Sequence, residues 1–123
     1  MALVLCTGID RTVLETRRLI LEDAGHKVVT VADEPSLADA CQKNSFDVAV
    51  IGQTISPKMK SRVAMLVKQH CTGVKILELY ETYTGKLLED ADSWLLVPAQ
   101  VPQALLERVN ELASKEESKR RKP

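Results

Sequence analysis

Short apolar runs, each followed by a stretch with helical apolar spacing, recur along this chain and limit what it can fold into. The β-type runs are residues 2–7, 27–31, 47–51, 74–79 and 93–97. Between the first two, Asp10 is placed to cap a helix carrying Val13, Leu14, Arg17, Ile20, Leu21 and Ala24 at three- and four-residue spacing, and Gly25 closes it. Asp33 caps a second helix with Pro35 in its first turn and Leu37, Ala38, Ala40 and Cys41 inward. A third, over about 59–70, carries Val63, Met65, Leu66 and Val67. A short fourth is expected over 86–91, and a last one over about 101–114 with Leu105, Leu106, Val109 and Leu112 inward.

Strands that lack polar alternation are buried on both faces. Five of them alternating with helices predict a parallel sheet covered on both sides, built by right-handed crossovers. At 123 residues the expected fold is a single doubly wound α/β domain, flavodoxin-like, with strand order 2-1-3-4-5. Function in such a sheet gathers at the carboxyl ends of the strands. Here those ends are 7–10, 52–57, 78–80 and 97–98.

Charge and composition narrow the function. Lys+Arg and Asp+Glu both number 17, which argues against a nucleic-acid or membrane-surface binder. The charge is uneven, however. Residues 115–123 hold five basic and two acidic side chains, leaving 12 basic and 15 acidic in 1–114. The sequence therefore reads as a domain over 1–114 followed by a basic, flexible, solvated tail. Aromatic residues are only 3%, too few for a stacking platform. No run approaches the roughly 20 apolar residues of a membrane span. Cys6, Cys41 and Cys71 are an odd set without CxxC spacing, and no basic, apolar leader opens the chain. The expectation is a cytoplasmic protein with reduced thiols.

Several fragments, in order and with nearly the right gaps, resemble the receiver domain of two-component response regulators over about residues 2–113. Leu21-Glu-Asp-Ala-Gly25 leads into the second strand as in that family. Ala32 with the stretch 37–40 fits its second helix. Phe46-Asp-Val-Ala-Val-Ile51 fits the approach to its phosphorylated aspartate, and Ala91-Asp-Ser-Trp-Leu-Leu-Val-Pro98 fits its last strand. The resemblance implies a CheY-like fold and a phosphoryl-transfer site. That chemistry needs an aspartate nucleophile, carboxylates holding Mg²⁺, a Ser/Thr and a Lys, because the moving phosphoryl group is highly anionic. This chain departs at each position. Gly52 stands for the phosphoacceptor and Gly8-Ile9 for the acidic pair, with only Asp10 beside it. Glu78 stands for the Ser/Thr and Val97 for the Lys. Asp10 alone is a poor Mg²⁺ site.

The resemblance therefore implies a pseudo-receiver: not an enzyme, without cofactor or metal, and acting by binding a signalling protein, with a homodimer possible. Glu78 to Val97 spans 19 residues, fewer than the family usually has. The face normally used for partners is rebuilt there, and Tyr80, Tyr83, Trp94 and Gln100 are its candidate contacts. Glu78 and Asp10 are expected as solvated carboxylates near one edge, with Glu78 as a phosphoryl-charge mimic the sharper alternative. Two rival functions remain. Cys6, in Cys6-Thr-Gly-Ile-Asp-Arg-Thr12, faintly resembles the phosphocysteine loop of phosphotransferase-system IIB domains. Alternatively, Gly8 and Gly52 leave room for a small ligand or nucleotide. His26 and His70 have no companions at metal-ligand spacing.

Overall fold

The apolar runs form β1 (Leu3–Thr7), β2 (Lys27–Val31), β3 (Val48–Ile51), β4 (Lys75–Tyr80) and β5 (Ser93–Leu96). They pair in parallel in the order β2-β1-β3-β4-β5, as expected. Register is set at the sheet centre by Leu5 opposite Ala49 and Ile51 opposite Glu78. The computed structural model describes residues 2–97 and 102–121, with side chains of the last helix as far as residue 114.

Alternation along each strand splits the core in two. Val48 and Val50 face one layer, where they meet Leu14 and Leu21 of α1 (Arg11–Asp23) and Leu105, Val109 and Leu112 of α4 (Pro102–Arg121). Ala49 and Ile51 face the other, with Leu37 of α2 (Glu34–Lys43) and Val63 and Val67 of α3 (Pro57–His70). Asp10, Asp33 and Ser56 cap α1, α2 and α3 by accepting first-turn amide hydrogens. Gly25 takes φ +95° after α1, a conformation that favours glycine. His26 is a structural clip. Its Nδ1 accepts from Ala2 N at 3.0 Å, and its Nε2 lies 2.7 Å from Asn110 Oδ1 on α4.

Three expectations are corrected. The helix over 86–91 does not form, so the described residues contain four helices. Residues 81–92 cross from β4 to β5 as a loop instead. Thr84 and Gly85 turn back on the Glu81 carbonyl, and the Leu87 and Leu88 amides donate to the Glu78 carboxylate. Some six residues repay helix nucleation poorly, and here a buried carboxylate takes their amides. The last helix does not stop near 114; its backbone stays helical to Arg121. Finally, the thiols are not all reduced. Cys41 on α2 and Cys71 at the end of α3 form a disulfide with Cα atoms 5.2 Å apart. The packing of α2 against α3 brings together cysteines separated by 30 residues. No helix among the described residues is long and apolar enough to cross a membrane.

Candidate functional site

The carboxyl edge of β1 and β3 is closed around an arginine. Gly52 follows β3 directly, and its amide donates to the Thr7 carbonyl at 3.1 Å. A Cβ on residue 52 would lie 2.8 Å from that same oxygen and 3.0 Å from Nη1 of Arg17. Gly52 therefore leaves no room; strand backbone and a guanidinium occupy it. Arg17 reaches there from α1, is only 8% exposed, and donates through Nη2 to Gln53 Oε1. Burial lowers its pKa, against the pull of Cys6 and Asp10. Among the described residues no carboxylate is within ion-pair distance of Arg17. Gly52→Ala should cost about 1–3 kcal/mol, the usual range for overpacking, as read by urea denaturation. An unchanged midpoint would show that Thr7 and Arg17 yield freely.

The neighbouring positions are already engaged. Asp10 is exposed, and its Oδ1 accepts from the Thr12 and Val13 amides. Gly8 is buried at the mouth of a cavity, while Ile9 points to solvent. Val97 is buried and apolar, and its amide binds the Tyr80 carbonyl at 2.8 Å. No cluster of three or more His, Cys, Asp or Glu able to hold a metal occurs among the described residues.

Glu78 is not a solvated partner of Asp10. It lies in β4 on the α3 face, fully buried. Its Oε2 is 2.8 Å from the Lys60 Nζ, itself 1% exposed, and that ammonium also donates to the Leu79 carbonyl at 2.7 Å. Glu78 then takes the Leu87 and Leu88 amides at 3.1 and 2.9 Å. A buried ion pair thus anchors the β4–β5 loop to α3. Lys60 does not stand out in the sequence as a site residue, and Arg17 shows there only as part of a core stripe. Each is a cation on the apolar stripe of its helix: Lys60 with Val63, Ala64 and Val67, Arg17 with Leu14 and Leu21. That placement was the available signal.

The aromatics divide. Trp94 is half-buried, donates Nε1 to the Leu88 carbonyl at 2.9 Å, and carries Lys86 over its ring at 5.0 Å. It packs against the core and holds the loop. Tyr80 lies 5.9 Å from the same ammonium, and Tyr83 is 82% exposed. Gln100 lies outside the described residues. Beside the loop, a groove of about 530 Å³ runs between α3 and residues 87–91, where the expected helix is missing.

Cys6 is fully buried, and burial pushes its thiol up to about 12. Thiolate, the nucleophilic form, is scarce at neutral pH. Iodoacetamide should leave Cys6 unmodified in the native protein and label one thiol per chain after denaturation without reductant. The folded state keeps the thiol neutral while the unfolded chain ionises near 9.0. This contribution is complete below pH 9 and is lost as pH climbs toward 12. Cys6→Ala should flatten that part of the stability profile.

No protein-family model matches the chain, and no curated protein matches it in sequence. Solved structures do match. One is a response regulator receiver domain protein from Clostridium thermocellum, 21% identical, covering 95% of this chain and 98% of that one, with a TM-score of 0.77. A CheY-like receiver domain protein from Methanospirillum hungatei is 18% identical, covers 94% and 97%, and scores 0.77. A response regulator from Thermotoga maritima is 16% identical, covers 93% and 98%, and scores 0.74. At these identities the likeness is one of fold. The chain has the CheY-like, flavodoxin-like architecture found in response regulator receiver domains.

Proposed function

We propose that this chain is a receiver-like signalling module of the two-component type that works by binding another protein, without an aspartyl-phosphate switch. One observation carries the reading: the Arg17 guanidinium lies over Gly52, where the resemblance places the phosphoacceptor, and Gly52 packs against Thr7. A cation fixed in the chain stands where a receiver would gather its phosphoryl group and Mg²⁺. Glu78, far from serving as a solvent-facing phosphoryl mimic, is neutralised by Lys60. The module is not an enzyme and needs no cofactor. We place it in the cytoplasm. Its partner face runs along the β4–β5 loop with Tyr80, Tyr83 and the edge of Trp94; Gln100 falls outside the described residues. The basic tail from 115 to 123 is a secondary contact, and a homodimer through the loop face is the self-associating form of the same reading.

The test is intact-mass spectrometry after incubation with acetyl phosphate and Mg²⁺, with a phosphorylatable receiver as control. No adduct is expected on this protein or on Gly52→Asp, because a Cβ at 52 meets backbone. An adduct on the native chain, mapped to Asp10 or Asp47, would overturn the reading. An adduct on Cys6 would instead favour the phosphocysteine carrier.

A further inference from the structure

The carboxyl edge holds a second feature that the reading above does not use. A cavity of about 230 Å³ opens between the ends of β1 and β2 and the first turns of α2 and α3. Its walls are the buried side chains of Val31, Leu37, Ile55 and Val63. Its lips are Ile9 and Met59, 65% and 41% exposed. Leaving such lips in water is unfavourable by about 25 cal/mol per Å² of apolar surface.

The polar groups around it are nearly all occupied by the chain itself. Thr7 Oγ1 donates to the Val50 carbonyl, Asp33 takes the Ser36 amide, Ser56 takes the Met59 amide, and Glu34 pairs with Arg62. The Thr54 hydroxyl, half-buried, is the lining side-chain group for which no such bond is formed. Asp33 and Glu34 at the rim are already engaged, by the Ser36 amide and by Arg62, and neither calls for a charged ligand. Size sets a further limit. An apolar cavity of about 150 Å³ takes up benzene, whereas drug-sized ligands need roughly 300 Å³ or more.

We propose that this cavity binds a small, neutral, largely apolar ring compound, one or two rings in size, with at most one polar atom directed at the Thr54 hydroxyl. At about 230 Å³ the cavity is too small for a nucleotide. The cavity separates the first turns of α2 and α3, whose far ends are joined by Cys41–Cys71. A ligand there would set how closely those helices approach, on the edge where phosphorylation acts in receivers.

Indole is a suitable probe, titrated into the intact chain by ¹H–¹⁵N correlation spectroscopy, with ADP alongside. The expected result is a saturable shift of amides in residues 31–37 and 54–63 with sub-millimolar Kd, and no response to ADP. Ala32→Leu, at the exposed mouth, and Val63→Phe, at the floor, should each weaken indole binding at least tenfold. Ala32→Leu keeps the test valid should Val63→Phe unfold. The proposal is overturned if indole gives no saturable shift, if Ala32→Leu binds it as well as the native chain, or if ADP competes for the same amides.

Discussion

Replacing Lys60 by methionine is expected to lower the unfolding free energy by about 3–5 kcal/mol, among the largest effects of a single substitution in this domain. The change leaves the Glu78 carboxylate in the core without its countercharge, while the Leu79 carbonyl loses the ammonium that it accepts from. Glu78→Leu should cost as much for a different reason. It strands the ammonium and also the Leu87 and Leu88 amides. Removing both charges together usually rescues such a pair, since apolar residues of similar volume pack well. Here the rescue should be partial, because two backbone donors still lack an acceptor, at about 1–3 kcal/mol each. Hydrogen exchange in residues 81–92 should rise in the double variant even where global stability recovers. Urea denaturation of the four proteins decides the matter. A Lys60→Met variant within about 1 kcal/mol of the native chain would mean that the pair does not hold the loop.

Reduction of Cys41–Cys71 is the second large effect expected. The bridge closes a loop of 30 residues in sequence separation, and the chain-entropy model assigns such a loop roughly 3–4 kcal/mol. For a domain of this size that corresponds to a fall in Tm of about 10 °C or more. The measurement is a thermal melt with and without dithiothreitol, repeated on Cys41→Ser/Cys71→Ser. The double variant should melt low in both conditions. A melt insensitive to reductant, with the bridge verified by mass spectrometry on the unreduced protein, would count against the assigned stabilisation. In a reducing compartment the domain works in the less stable dithiol form, and the interval between the two melts is its margin.

The sheet was legible because burial on both faces leaves a plain mark: Val48 to Ile51 carries no polar residue, and β1 is nearly as uniform. Strand order followed from size and handedness rather than from any single residue. The caps at Asp10 and Asp33 were equally legible, since capping is local chemistry. What failed was non-local. Leu87 and Leu88 look helical until Glu78, nine residues back, takes their amides. Glu78 looks solvated until Lys60 from another helix neutralises it. Cys41 and Cys71 acquire a relation only when α2 and α3 lie side by side. At the candidate site, Gly8, Gly52 and Val97 carry no ionisable side chain, which the sequence alone displays. What fills the space it does not display, because Arg17 arrives from the far side of a helix turn. A charged residue on an otherwise apolar stripe is the pattern to read in both missed cases.

The contact between Gly52 and Thr7 bears on what position 52 can hold. A side chain placed there meets a backbone oxygen at 2.8 Å and a guanidinium at 3.0 Å from its Cβ. Introducing a carboxylate therefore requires Arg17 to leave and the β1 terminus to move first. Single substitutions at position 52 then lower stability whichever side chain they introduce, and room for one has to be made on α1. Position 52 is thereby closed to side-chain chemistry by its neighbours, and glycine is the residue that satisfies them.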